Sequence, residues 1–122
     1  MRFAGIGFRG AADLASLQDA LQKAISATDG GAVDALVSEA SKAREKVFRE
    51  LAQAMRIPGM GVTQTDMAQM LTPTQSARIQ DKFGTGSLAE AAALVAAGPG
   101  ARLLAERVIS SDGMATAAIA EN

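Results

Sequence analysis

Alanine supplies 27 of the 59 apolar residues in this chain of 122. An alanine brings only a methyl group to a core, so it fills space well only where backbones approach closely. The bulkier apolar residues are 10 Leu, 6 Val, 6 Ile, 6 Met and 4 Phe. They suffice for one lean core, and the length fits a single domain over residues 1–122.

The chain has no Cys, His, Trp or Tyr. A thiol or imidazole nucleophile, a histidine base and a tyrosine acid are thereby excluded. Zinc sites of thiolate or imidazole, iron–sulfur clusters and protein-ligated haem go with them. No metal or cofactor is expected. Chemistry is left to carboxylates, Lys, Arg, hydroxyls and backbone groups, or to a ligand.

Twelve cations against 13 anions give a net charge of −1. This balance, with no Tyr or Trp to stack on bases, argues against nucleic acid as a partner. The start, Met1-Arg2-Phe3-Ala4-Gly5-Ile6-Gly7, has no long apolar segment, and no run approaches the length of a membrane span. The expectation is a cytoplasmic protein with no membrane contact.

Phe3 to Phe8 reads as a short buried strand, and Arg9-Gly10 as a turn. Leu14, Leu17, Leu21 and Ile25 mark one face of a helix that Asp29-Gly30-Gly31 stops. Ala32 to Val37 predicts a second strand, and Ser41 to Met55 a second helix. Met60 to Thr63 fits a very short strand, and Thr65-Asp66 begins a helical turn through Leu71. Thr72-Pro73 reads as the start of another short helix, because proline suits the first helical position. The span 59–86 has the weakest pattern and is read as mobile loop. Ser87-Leu88-Ala89-Glu90 is a capping box, with Ser87 as cap and Glu90 reaching back. Gly98-Pro99 ends that helix. Ala101 to Ile109 and Met114 to Ala120 then form a hairpin across Asp112-Gly113. The order predicts an α/β fold of three αβα layers, with a small mixed sheet and a C-terminal β-hairpin.

Two glycine-rich helix starts are candidates for ligand binding. Gly5-Ile6-Gly7-Phe8-Arg9-Gly10 fits G-x-G-x-x-G in spacing, but no acidic ribose partner follows on the second strand, where Asp34 lies inside. A tight strand–helix turn explains it equally well. The other start is Gly84-Thr85-Gly86-Ser87. Two such turns can converge at the C-terminal edge of an open sheet, where ligands bind. Lys42, just after the second strand, falls at the same edge. The candidate binding residues are thus Gly7, Arg9, Gly10, Lys42, Gly86 and Ser87, while Glu90 is a capping residue or an acid/base group.

Three blocks resemble one family. Gly5 to Gly10 with Leu14 to Leu21 is similar to the opening of the CobE proteins and of the C-terminal domain of the CbiG proteins, both of cobalamin (vitamin B12) biosynthesis. Gly84 to Leu94 resembles that family's G-x-x-S-x-x-E-A-A-A-L. Gly113 to Ala120 resembles its closing G-x-x-T-x-A-I-A, and Lys42 stands near a family lysine. The middle, Ala43 to Lys82, matches loosely, and Val108 to Asp112 lacks the lysine the family commonly has there.

The resemblance implies a domain that binds or helps process a precorrin, a tetrapyrrole intermediate rich in carboxylates. Glycine-rich helix starts, Arg9, Lys42 and Ser87 suit such a ligand. An alternative is a lactone or acyl hydrolase acting on a precorrin, with Glu90 or Asp112 as base. A second alternative is a phosphate- or nucleotide-binding module. Other enzymes of the pathway are expected partners, and an Ala-rich face allows a homodimer.

Overall fold

A computed structural model describes every residue of the chain except 78 and 81–86. Strand β1 (Arg2–Phe8) leads to helix α1 (Leu14–Ser26), and β2 (Ala35–Glu39) leads through a 3₁₀ turn (Lys42–Arg44) to α2 (Lys46–Met55). Then come β3 (Gly59–Val62), α3 (Gln64–Ala68), α4 (Leu88–Ala97), β4 (Arg102–Ile109) and β5 (Ala115–Glu121). The sheet order is β3-β2-β1-β5-β4. The three strands β1, β2 and β3 run parallel, and the closing hairpin adds β5 and β4 antiparallel beside β1. This is the expected three-layer α/β arrangement with a mixed sheet.

The period of two along β1 sorts its side chains. Ala4, Ile6 and Phe8 join Leu17, Leu21, Phe48 and Leu51 in a core under α1 and α2. On the other face Val37, Met67, Leu88, Ala91 and Ala92 pack together, with Phe3 against them. Here β1 carries Gly5 and Gly7, and α4 lies almost on the backbone. A Cβ placed on Gly5 would overlap the carbonyl oxygen of Ala89 and sit 2.9 Å from the Ala93 nitrogen. The alanines thus mark the tight α4–sheet contact, where Ala89, Ala91, Ala92 and Ala93 are fully buried.

Several boundaries move from their sequence-based positions. The second strand is Ala35–Glu39 rather than 32–37, because pairing with β1 opens at Phe3 and Ala35. Its polar end is satisfied by hydrogen bonds. The Ser38 hydroxyl donates to the Ile6 carbonyl at 2.7 Å, and the Glu39 carboxylate accepts from Ser41. The second helix is broken, with Glu45 in extended backbone between the 3₁₀ turn and α2. The helix expected from Thr72-Pro73 begins later: residues 72–76 are non-helical, and Ala77, Ile79 and Gln80 are helical. Part of the expected loop is regular structure, β3 and α3. Among the described residues, no helix is long and apolar enough to cross a membrane.

Candidate functional site

The C-terminal end of β1 and the start of β5 meet at the sheet edge where the parallel strands end. A cavity of about 240 Å³ opens there. Gly7, Phe8 and Arg9 come from the end of β1, Lys42 from the 3₁₀ turn, and Leu88 from the start of α4. Arg107 and Ile109 of β4, the Gly113–Met114 turn and Thr116 of β5 complete the opposite wall, with Ser76 and Ile79 beside them.

Among the described residues, the charged groups that line the cavity are all cationic: Arg9, Lys42 and Arg107 stand around it in a chain whose overall charge is nearly balanced. Among the described residues, neither Arg9 nor Arg107 joins the ion pairs, which involve Arg2, Lys23 and Arg102. The Lys42 ammonium donates to the Phe8 carbonyl at 2.6 Å and lies 4.6 Å from the centre of the Phe8 ring. It therefore presents its charge at the end of β1 in a fixed place. Half-buried Thr116 donates to the Gly7 carbonyl at 3.4 Å.

The turn after β4 is built by Asp112. Its carboxylate accepts from Ser110 Oγ at 2.6 Å, from Ser16 Oγ of α1, and from the Met114 N–H at 3.0 Å. Met114 in turn accepts from the Arg9 N–H at 2.9 Å. The Gly113–Met114 wall is thus tied to α1 and to the end of β1. The Ser110 hydroxyl above all, then that of Ser16 and the Met114 N–H, lowers the Asp112 pKa from 3.8 to about 2. Asp19 is lowered chiefly by the Ser111 N–H, Asp29 by Arg2, and Glu121 by Arg102 and then Arg2. A carboxyl lowered on folding adds stability that is complete above its unfolded value and is lost as pH falls through its folded one. Stability should therefore begin to fall near pH 4.5, the ordinary value of Glu121, and keep falling toward pH 2 as Asp112 protonates. Thermal unfolding followed from pH 7 to 2.5 checks this, and Asp112→Asn should flatten the lower part of the curve. An unchanged slope in that variant would show that Asp112 does not hold the turn.

The sequence-predicted residues divide. Gly7, Arg9 and Lys42 line the cavity. Gly10 does not, and it stands exposed with open space where a side chain would project. Gly86 lies outside the described residues. Ser87 is fully buried beneath the wall, where its hydroxyl accepts from the Glu90 N–H at 3.3 Å and caps α4. The reciprocal half of the capping box is not made. The Glu90 carboxylate accepts instead from the Thr74 N–H at 2.9 Å, the Thr74 hydroxyl at 2.9 Å and the Arg107 N–H at 2.8 Å. The first turn of α1 is closed in its own way, since Asp13 accepts from the Ser16 N–H at 2.9 Å where an anionic ligand would otherwise bind.

Sequence reading did not place Arg107, Met114 and Thr116 at this cavity. One signal was there: Glu106-Arg107 places two charges side by side in a strand, which breaks alternation. Between Ala105 and Val108 β4 advances three residues while β5 advances two, a bulge that changes the direction of Arg107.

Comparison with known proteins agrees with this fold. The family described as "Cobalamin synthesis G C-terminus" matches residues 3–120. Comparison with curated proteins returns no match. Among solved structures, CobE, a protein from the cobalamin (vitamin B12) biosynthetic pathway, is 30% identical with a TM-score of 0.81, covering 98% of this chain and 92% of its own. The cobalamin biosynthesis protein chiG from Agrobacterium tumefaciens is 33% identical with a TM-score of 0.76, covering 100% of this chain and 98% of its own. A cobalamin biosynthesis protein G homologue from Sulfolobus solfataricus shares the fold at 20% identity and a TM-score of 0.69, over 98% of this chain and 36% of its own. The chain therefore belongs to the C-terminal family of the cobalamin synthesis G proteins, a family of the cobalamin biosynthesis pathway.

Proposed function

We propose that this domain binds a carboxylate-bearing tetrapyrrole intermediate of the pathway by one edge, at the cavity beside the end of β1. The observation that carries the reading is the lining itself. Arg9, Lys42 and Arg107 face an apolar floor of Phe8, Ile79, Leu88 and Met114, and no carboxylate lines the cavity among the described residues. A precorrin has the matching chemistry: an apolar ring bearing acetate and propionate arms. The cavity's 240 Å³ lies below the roughly 300–1,000 Å³ of pockets that enclose a small ligand. It therefore takes one arm and the adjoining ring edge, while the rest of the macrocycle lies outside, over Ile109, which is 47% exposed.

The surroundings favour holding over cleaving. A hydrolytic base must face the ligand with its lone pairs available. Glu90 and Asp112 each accept three hydrogen bonds, and neither lines the cavity. Asp112, at about 2, is also too weak a base near neutral pH. Asp13 occupies the helix start that a nucleotide phosphate would need.

Mixing the protein with pathway intermediates, while following tetrapyrrole absorbance and product masses, tests the reading. A saturable spectral shift with unchanged mass is the expected result. A mass change at catalytic protein concentration would replace the binder by an enzyme, and no shift with any intermediate would sink the proposal.

A further inference from the structure

Glu90 stands out because its chemistry is not accounted for by its helix. It is fully buried on α4, where its neighbours in the chain are alanines. A buried carboxylate is costly unless it is well bonded. Capping does not require it, since Ser87 closes the helix start. Its three partners are neutral donors, and they come from two separate pieces of chain that both reach the cavity.

The first piece is the non-helical segment 72–76. Glu90 holds it by the N–H and the hydroxyl of Thr74, two residues before Ser76 at the cavity wall. The second is the bulge in β4 between Ala105 and Val108. A bulge leaves a strand N–H without its ladder partner. The Arg107 N–H donates to Glu90 Oε2 at 2.8 Å, and the Arg107 side chain lines the cavity. The same carboxylate therefore fixes the bulge and, with it, the direction of one of the cations that line the cavity. Its position in the first turn of α4 also suits a negative charge.

We infer that Glu90 is a positioning residue for ligand binding: its buried carboxylate holds the β4 bulge that aims Arg107 into the cavity and anchors the segment bearing Ser76. This rests on the proposed binding of a carboxylate-bearing tetrapyrrole at the cavity. A glutamine in place of Glu90 keeps the size but has one acceptor oxygen. If that oxygen keeps the Thr74 N–H, an NH₂ group faces the Arg107 N–H, and the bulge loses its tie.

The test is a double-mutant cycle on the whole chain, with uroporphyrin, a porphyrin with eight carboxylates, as the probe and its absorbance as the readout. Arg107→Ala should weaken binding about tenfold or more. Glu90→Gln should weaken it several-fold and lower its dependence on salt, because a cation has left the site. In the Arg107→Ala background, Glu90→Gln should have almost no further effect on affinity. A purely structural role would lower stability without this dependence on Arg107. Should Glu90→Gln fail to fold, Glu90→Asp keeps the charge but draws the carboxylate back from the bulge, and the same loss is expected. Wild-type affinity in the Glu90 variants, or a loss that adds in full to that of Arg107→Ala, overturns the inference and leaves the binding site standing. Unchanged binding in Arg107→Ala overturns the binding reading at this cavity, and the role of Glu90 falls with it.

Discussion

A Gly5→Ala variant should unfold roughly 10 °C or more below the parent chain, a loss of about 3 kcal/mol. The reason is the contact between β1 and α4. The added methyl would overlap the Ala89 carbonyl oxygen and come within 2.9 Å of the Ala89 carbonyl carbon and the Ala93 nitrogen. All of these are backbone atoms, so no side-chain rotation relieves the clash. Either α4 lifts from the sheet or β1 shifts, and each movement opens space among alanines too small to refill it. Gly10→Ala is the matched control. Gly10 has nothing within 4 Å of a new methyl and no left-handed backbone, so its stability should change by less than about 0.5 kcal/mol or rise slightly. Thermal and urea unfolding of the two variants decide the matter. Equal stability would mean that α4 does not lie on Gly5.

Seen from that contact, the alanine excess was the most informative part of the sequence. It pointed to close backbone approach, and the approach is where α4 meets β1. The alternating and helical periodicities also placed β1, α1, α4 and the hairpin well, because each has a long apolar face or a strong stop signal. The legibility ended where polar side chains find their partners through the fold. Ser38 and Glu39 extend β2 beyond its apolar run because the Ser38 hydroxyl donates to the Ile6 carbonyl at 2.7 Å and the Glu39 carboxylate accepts from Ser41. Thr72-Pro73 looked like a helix start, but Glu90 engages Thr74 from across the fold. That long-range bond has no local trace.

The site was legible in part for the same reason. Gly7 and Arg9 follow from a strand end and Lys42 from the end of its neighbour, so parallel pairing brings them together. Arg107 comes from the far edge of the sheet. It reaches the cavity because β5 inserts between β1 and β4 and because β4 bulges. Neither the strand order nor the bulge follows from periodicity. Glu90 shows the converse: its motif position was clear, and its partner was not.

Removing Arg9 and Arg107 together should produce the largest change in binding. Hydrogen bonds to charged groups contribute about 1.5–3 kcal/mol each. Loss of both guanidiniums should therefore weaken binding of a carboxylate-bearing tetrapyrrole by on the order of 10²–10⁴-fold at low salt. The difference between parent and double variant should shrink as salt rises, since exposed Arg9 is screened within about 10 Å at 0.1 M ionic strength. Net charge alone must be separated from position. Lys46→Ala with Arg49→Ala removes the same two charges from the exposed surface of α2, away from the cavity lining. That pair should leave affinity within about twofold, because scattered surface charge affects encounter more than the bound state. Absorbance titration of the three proteins at two salt concentrations, with thermal unfolding to confirm folding, gives the comparison. Similar losses in both double variants would reduce the interaction to general charge attraction. A selective loss on removing Arg9 and Arg107 locates it at the end of β1, where a lean, alanine-packed fold gathers Arg9, Lys42 and Arg107 around one cavity.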